Sequence, residues 1–132
     1  MKVFVDTSAL YALLAAEDAH HQAAQRAVEA LTTSGATLVT TNYILLECAS
    51  LLQKRHGFSP AKTFLTKASA TMETVWVDER LYREAIAIWT KAQSRQLSLV
   101  DCTSFSAMQQ RHIRQAFAFD SHFTRQGFEV IP

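Results

Sequence analysis

The apolar positions of this chain fall into short unbroken runs separated by longer stretches with helical spacing. Val3-Phe4-Val5 is a β-branched and aromatic run closed by Asp6, which predicts a buried strand. Thr7 and Ser8 are suited to cap a helix expected over Ala9 to Ala16. A second helix is expected from His20 to about Leu31, with Ala23, Ala27, Ala30 and Leu31 on one face and Gly35 as its stop. Thr37-Leu38-Val39-Thr40 predicts the second strand. The helix expected after it starts near Asn42, carries Ile44, Leu45, Cys48, Leu51 and Leu52 at helical spacing, and stops at Gly57. Pro60 is read as the opening of a fourth helix through about Ala70, because a first turn tolerates proline.

Val75-Trp76-Val77 predicts a third strand, and Asp78 then caps a helix from Glu79 to about Ser94. That helix places Leu81, Ala85, Ile88 and Trp89 at intervals of three and four. Ser98-Leu99-Val100-Asp101 has the form of a capping box, which puts Asp101 in the first turn of a helix reaching about His112. Ala116 to Phe119 predicts a strand ending at Asp120, and Glu129-Val130-Ile131 a short last one. Strands alternating with helices predict a three-layer α/β/α sandwich around a mainly parallel sheet. No internal repeat or boundary divides residues 1–132, so a single domain is expected.

Composition narrows the function classes. The chain has 132 residues, with three glycines and two prolines, which leaves little room for linkers. Its net charge of +1 creates no global field for nucleic acid, although an acidic site beside local basic patches is compatible with a near-neutral total. Asp6 interrupts the N-terminal apolar run too early for a signal sequence, and no apolar stretch is long enough to span a bilayer, so a cytoplasmic location is expected. Cys48 and Cys102 match no zinc spacing and read as buried free thiols.

Ligands of parallel α/β sheets bind beyond the carboxyl ends of the strands. Asp6, Asp78 and Asp120 each follow an apolar run, Asp101 opens a helix after Leu-Ser-Leu-Val, and Glu47 sits within Ile-Leu-Leu-Glu-Cys. Clustered carboxylates near apolar neighbours raise one another's pKa values, and a hard divalent cation relieves that cost. Such a site suits phosphodiester hydrolysis. Each acid also has a structural explanation: Asp6, Asp101 and Asp120 as helix caps, Glu47 as a surface residue at the edge of an apolar stripe, and Asp78 as a cap. The pattern alone leaves these readings side by side.

The segments VFVDTSAL, TTNYILLECASLL, LSLVDCTSF and FAFDSHFTRQGFEVIP occur in this order across nearly the whole chain. Together they resemble the PIN-domain family, and within it the VapC-type toxins of bacterial type II toxin–antitoxin pairs. The resemblance implies an endoribonuclease whose four acidic positions fall on Asp6, Glu47, Asp101 and Asp120 and bind Mg²⁺ or Mn²⁺. It implies supporting hydroxyls at Thr7 or Ser8, and Asp78 lies outside the matching segments. It also implies an RNA substrate, an antitoxin partner and a homodimer. His122, two residues past Asp120, falls within the last segment and is expected to be structural or to contact substrate.

His56 and His112 suit helix C-termini. Basic residues such as Arg111, Arg114 and Arg125 are candidates for backbone contacts to RNA, and apolar surface on the early helices for a partner. Two further functions compete. One is a non-catalytic RNA- or protein-binding module on the same scaffold; the other is a phosphotransferase with Asp6 as nucleophile, which would want an acid at position 8, where Ser8 stands.

Overall fold

The computed structural model describes residues 1–132. Along the chain run β1 (Lys2–Val5), α1 (Thr7–Leu14), α2 (His21–Thr33), β2 (Thr37–Thr41), α3 (Asn42–His56) and α4 (Phe58–Thr71). The second half contributes β3 (Glu73–Val75), α5 (Glu79–Ala92), α6 (Leu99–Gln110), β4 (Gln115–Phe117), α7 (His122–Arg125) and β5 (Glu129–Ile131). The strands form one sheet in the order β3-β2-β1-β4-β5, and every neighbouring pair is parallel. Helices cover both faces, giving the three-layer sandwich that strand–helix alternation requires.

Period-two alternation sorts the sheet residues between the two helical layers. Phe4 is in register with Val39 and Ala116, and its ring meets Phe123 of α7 at 6.2 Å. Phe123 in turn meets Phe105 of α6 edge-on at 5.2 Å, and all three rings are fully buried. On the other face, Val3 is in register with Leu38. Leu38 lines an apolar groove with Leu10 and Leu13 of α1, Val28 of α2 and Phe64 of α4.

Several boundaries differ from the sequence reading. α1 spans Thr7–Leu14 instead of Ala9 to Ala16, because Asp6, and not Thr7 or Ser8, is its N-cap and accepts the Ser8 N–H. β3 lies at Glu73–Val75, two residues before the apolar run centred on Trp76. The chain turns out of the sheet after Val75: the Val77 N–H donates to Asn42 Oδ1 at 2.7 Å, and the Trp76 side chain is 70% exposed. β4 spans Gln115–Phe117, because the Phe119 N–H donates to the Ser8 hydroxyl instead of a neighbouring strand. α4 begins at Phe58, two residues ahead of Pro60. Proline's missing N–H is harmless there, because the first turn of a helix has no carbonyls to receive its N–H groups.

α3 is fastened at its start by Thr41, whose hydroxyl accepts the Ile44 N–H at 3.1 Å. Thr41 is fully buried, so water offers no substitute partner. Thr41→Ala should therefore lower stability by about 1 kcal/mol, read as a lower urea midpoint with an unchanged slope. No helix is long and apolar enough to cross a membrane.

Candidate active site

The sheet order reverses direction between β1 and β4: the chain leaves β1 for β2 on one side, while β4 lies on the other. A crevice opens beyond the carboxyl ends of strands at such a switch point. Asp6 immediately follows β1, and Asp120 lies three residues beyond β4. The Asp6 N–H donates to the Phe117 carbonyl at 3.0 Å, which ties the two strand ends together.

Asp6 is the N-cap of α1 and is only 5% exposed. Its Oδ2 accepts both the Ser8 N–H at 3.1 Å and the Ser8 hydroxyl at 2.6 Å. Asp101 is the third residue of α6 and completes a capping box with Ser98: the Asp101 N–H donates to Ser98 Oγ at 3.0 Å, and the Ser98 N–H to Asp101 Oδ2 at 3.3 Å. Asp120 Oδ1 accepts the His122 N–H at 2.8 Å. Capping and crowding therefore coexist on Asp6 and Asp101, whereas Asp120, expected as a cap, is not one: Ser121 is the N-cap of α7.

His122 lies between two of these carboxylates. Its Nδ1 is 3.0 Å from Asp101 Oδ2 and 3.0 Å from Asp120 Oδ1, and one ligand atom from each of the three residues falls within 4.8 Å of the others. Despite those short distances, neither oxygen completes a well-formed hydrogen bond to the buried Nδ1. Sequence reasoning placed His122 near the site but missed this membership, which needs the start of α6 to meet the turn after β4. The Asp-x-His spacing, with the His N–H folded back on the acid, was its only local signal.

Glu47 stands apart from this group. It is exposed on α3, and its Oε1 accepts the Thr7 hydroxyl at 2.5 Å. Thr7 and Ser8 thus each serve a different acid, Thr7 the rim carboxylate and Ser8 the buried one. Asp78 is exposed and caps α5 through the Leu81 N–H at 2.9 Å, well accounted for by that role alone.

The electrostatics reflect the crowding. Asp6 is pushed up from 3.8 to about 6, by burial first and by the charges of Asp101 and Asp120, against the lowering effect of Ser8. Asp101 is also raised, by burial and then by Asp120, while Ser98 and His122 pull it down. Burial drives the Cys48 thiol up to about 12 and Cys102 up to about 11, with neighbouring acids adding to both, so neither is a nucleophile at neutral pH.

The donor set fits a divalent cation: oxygen-rich, mutually repelling, and containing a buried imidazole nitrogen without a hydrogen bond. A concavity of about 870 Å³ lies elsewhere, in the apolar groove between α1, α2 and α4. No acid lines it, so it offers a divalent ion nothing.

The PIN domain family model matches residues 3–129. Among characterised proteins, the chain is 34% identical to the 23S rRNA-specific endonuclease VapC20 of Mycobacterium tuberculosis over 132 residues, 98% of each chain. The crystal structure of that VapC20, described as a sarcin–ricin loop cleaving toxin, matches with a TM-score of 0.86 over 98% of this chain and 99% of that one. Two more distant structures share the fold. A toxin–antitoxin complex from Klebsiella pneumoniae is 15% identical with a TM-score of 0.72, covering 98% of this chain and 96% of that one. VapBC2 from Rickettsia felis, bound to a DNA fragment from its promoter, is 12% identical with a TM-score of 0.74, covering 98% and 97%.

Proposed function

This chain belongs to the PIN domain family, and from that premise we infer that it is an endoribonuclease, the toxin of a type II toxin–antitoxin pair, whose carboxylate pocket works with Mg²⁺ or Mn²⁺. The observation that supports the metal-dependent part is the gathering of Asp101, Asp120 and the unsatisfied Nδ1 of His122 within 4.8 Å, with the buried Asp6 near enough to feel the charges of both carboxylates. A carboxylate titrating near 6 because of burial and like-charged neighbours is a group arranged for a cation.

In this reading Asp6, Asp101 and Asp120 hold the ion, and Glu47, oriented by Thr7, extends the acidic wall toward solvent. A bound Mg²⁺ or Mn²⁺ supplies charge neutralisation for the phosphate and a water of lowered pKa. Ser8 fixes the Asp6 carboxylate from below through two hydrogen bonds, leaving Oδ1 free of Ser8. Ser98 holds the Asp101 carboxylate through one hydrogen bond, from its backbone N–H to Oδ2. The 34% identical relative is named for its action on 23S rRNA, and we extend that substrate class, a structured ribosomal RNA, to this chain. An antitoxin and a second copy of the chain complete the set of partners. The apolar groove between α1, α2 and α4 has the character needed to take an amphipathic segment of the antitoxin.

The test is cleavage of a synthetic sarcin–ricin-loop hairpin by the purified protein with Mn²⁺ and with excess chelator. Cleavage should occur with Mn²⁺ and disappear with chelator. Equal cleavage in both would overturn the metal assignment, and no cleavage with any divalent ion would overturn the nuclease reading.

A further inference from the structure

We propose that the stacked rings of His20 and Phe119 form a shelf on which an unpaired base of the RNA substrate rests beside the carboxylates. This rests on the nuclease reading for its biological meaning, and on the following geometry for its physics. The His20 ring lies nearly parallel to Phe119, 10° from coplanar, with centroids 4.5 Å apart. Helix capping does not explain that placement, since the His20 side chain makes no cap hydrogen bond to α2. The loop is instead fixed through its backbone, the His20 N–H donating to Asp18 Oδ1 at 2.8 Å.

Phe119 covers one face of the imidazole, yet His20 is exposed. Its accessible surface is therefore the outer ring face and edge. The support beneath is stiff, because Phe119 packs edge-on against the fully buried Phe117 at 6.2 Å. The shelf also adjoins the pocket. Phe119 directly precedes Asp120, and its N–H donates at 3.0 Å to Ser8 Oγ, which itself donates to Asp6 at 2.6 Å.

Structured RNA is read chiefly through loop bases that leave their stack and lie on aromatic side chains. A flat ring with a backed inner face and an open outer face is suited to that contact. It tolerates different bases and would position the adjoining phosphate toward the acids. A ring serving only to shield Phe119 from water would instead matter for stability and not for substrate.

The experiment compares wild type, His20→Ala and His20→Tyr on a sarcin–ricin-loop hairpin carrying 2-aminopurine at each loop purine in turn. Binding is read in Ca²⁺ as quenching of that fluorophore, and cleavage is read in Mn²⁺. His20→Ala should raise KM about tenfold with kcat changed less than about twofold, and should abolish quenching at one loop position. His20→Tyr should restore both, with melting temperatures of the three proteins alike. Unaltered KM in His20→Ala, failure of His20→Tyr to rescue, or absence of quenching by wild type at every position would overturn the shelf while leaving cleavage to stand. Quenching that depends on the ring, in a protein that cleaves nothing, would support the shelf and sink the nuclease reading instead.

Discussion

Asp101→Asn and Asp120→Asn should each reduce RNA cleavage about a thousandfold in saturating Mn²⁺, with folding intact. Asparagine keeps an acceptor oxygen at both positions, so the Ser98 N–H and the His122 N–H retain their partners. What disappears is a negative charge directed at the cation, and the electrostatic work asked of such an ion amounts to several kcal/mol of barrier lowering. Glu47→Gln should also lower cleavage while its Oε1 still accepts the Thr7 hydroxyl. Asp78→Asn is the control: this acid follows an apolar run just as Asp6 does, but it only caps α5, and the variant should cleave like wild type. A gel assay at fixed Mn²⁺ decides among these. Cleavage retained in Asp101→Asn and Asp120→Asn would remove the pocket from the chemistry.

The second large effect concerns stability without metal. In the fold Asp6 titrates near 6 against an ordinary 3.8, because burial and two neighbouring carboxylates oppose its ionisation. Below pH 3.8 it is protonated in the folded and unfolded chains alike and costs nothing. Between pH 4 and 6 the unfolded chain gives up this proton more readily, so the fold loses stability as pH rises. Above pH 6 the full penalty stands, about 3 kcal/mol. Asp6→Asn removes it while preserving an acceptor for Ser8. In chelator at pH 7.5 the variant should therefore melt roughly 10 °C above wild type, and the difference should close by pH 4. Removing a charge that we assign to the site should thus stabilise the protein, as expected where a site is held against its own repulsion.

Much of this architecture was legible in the sequence because local and global preferences agree. Val3-Phe4-Val5 is β-branched, aromatic and apolar, and it forms the buried central strand. Ser98 and Asp101 stand at capping-box spacing, and both reciprocal hydrogen bonds form. The third strand was misplaced because Trp76 is as apolar as a core residue, while the Asn42 amide draws Val77 out of the ladder from 35 positions away. No local window contains that contact. The fourth strand ends at Phe117, two residues short of the end of the apolar run, for the same kind of reason, since the Phe119 N–H is claimed by Ser8 across 111 positions, whereas the last strand has the bounds its sequence predicts.

The site divided along the same line. Acids after strands were visible, and both Asp6 and Asp120 reach the switch point. The sequence could not show that Asp6 lies deep while Glu47 stays at the rim, nor that His122 turns its Nδ1 between Asp101 and Asp120. Those are consequences of how α6 meets the turn after β4. His20 was equally opaque: at a helix start it reads as a polar surface residue, and only the folded chain brings Phe119 beneath it.

One thermal-melting series at pH 7.5 bears most directly on the idea that crowded acids at the strand ends exist to receive a cation. Wild type and Asp6→Asn are melted in chelator and again in millimolar Mn²⁺. The variant should be the more stable in chelator, and Mn²⁺ should raise wild type well above its metal-free value while hardly moving the variant. Equal shifts in both proteins, or a metal-free variant that melts below wild type, would contradict it.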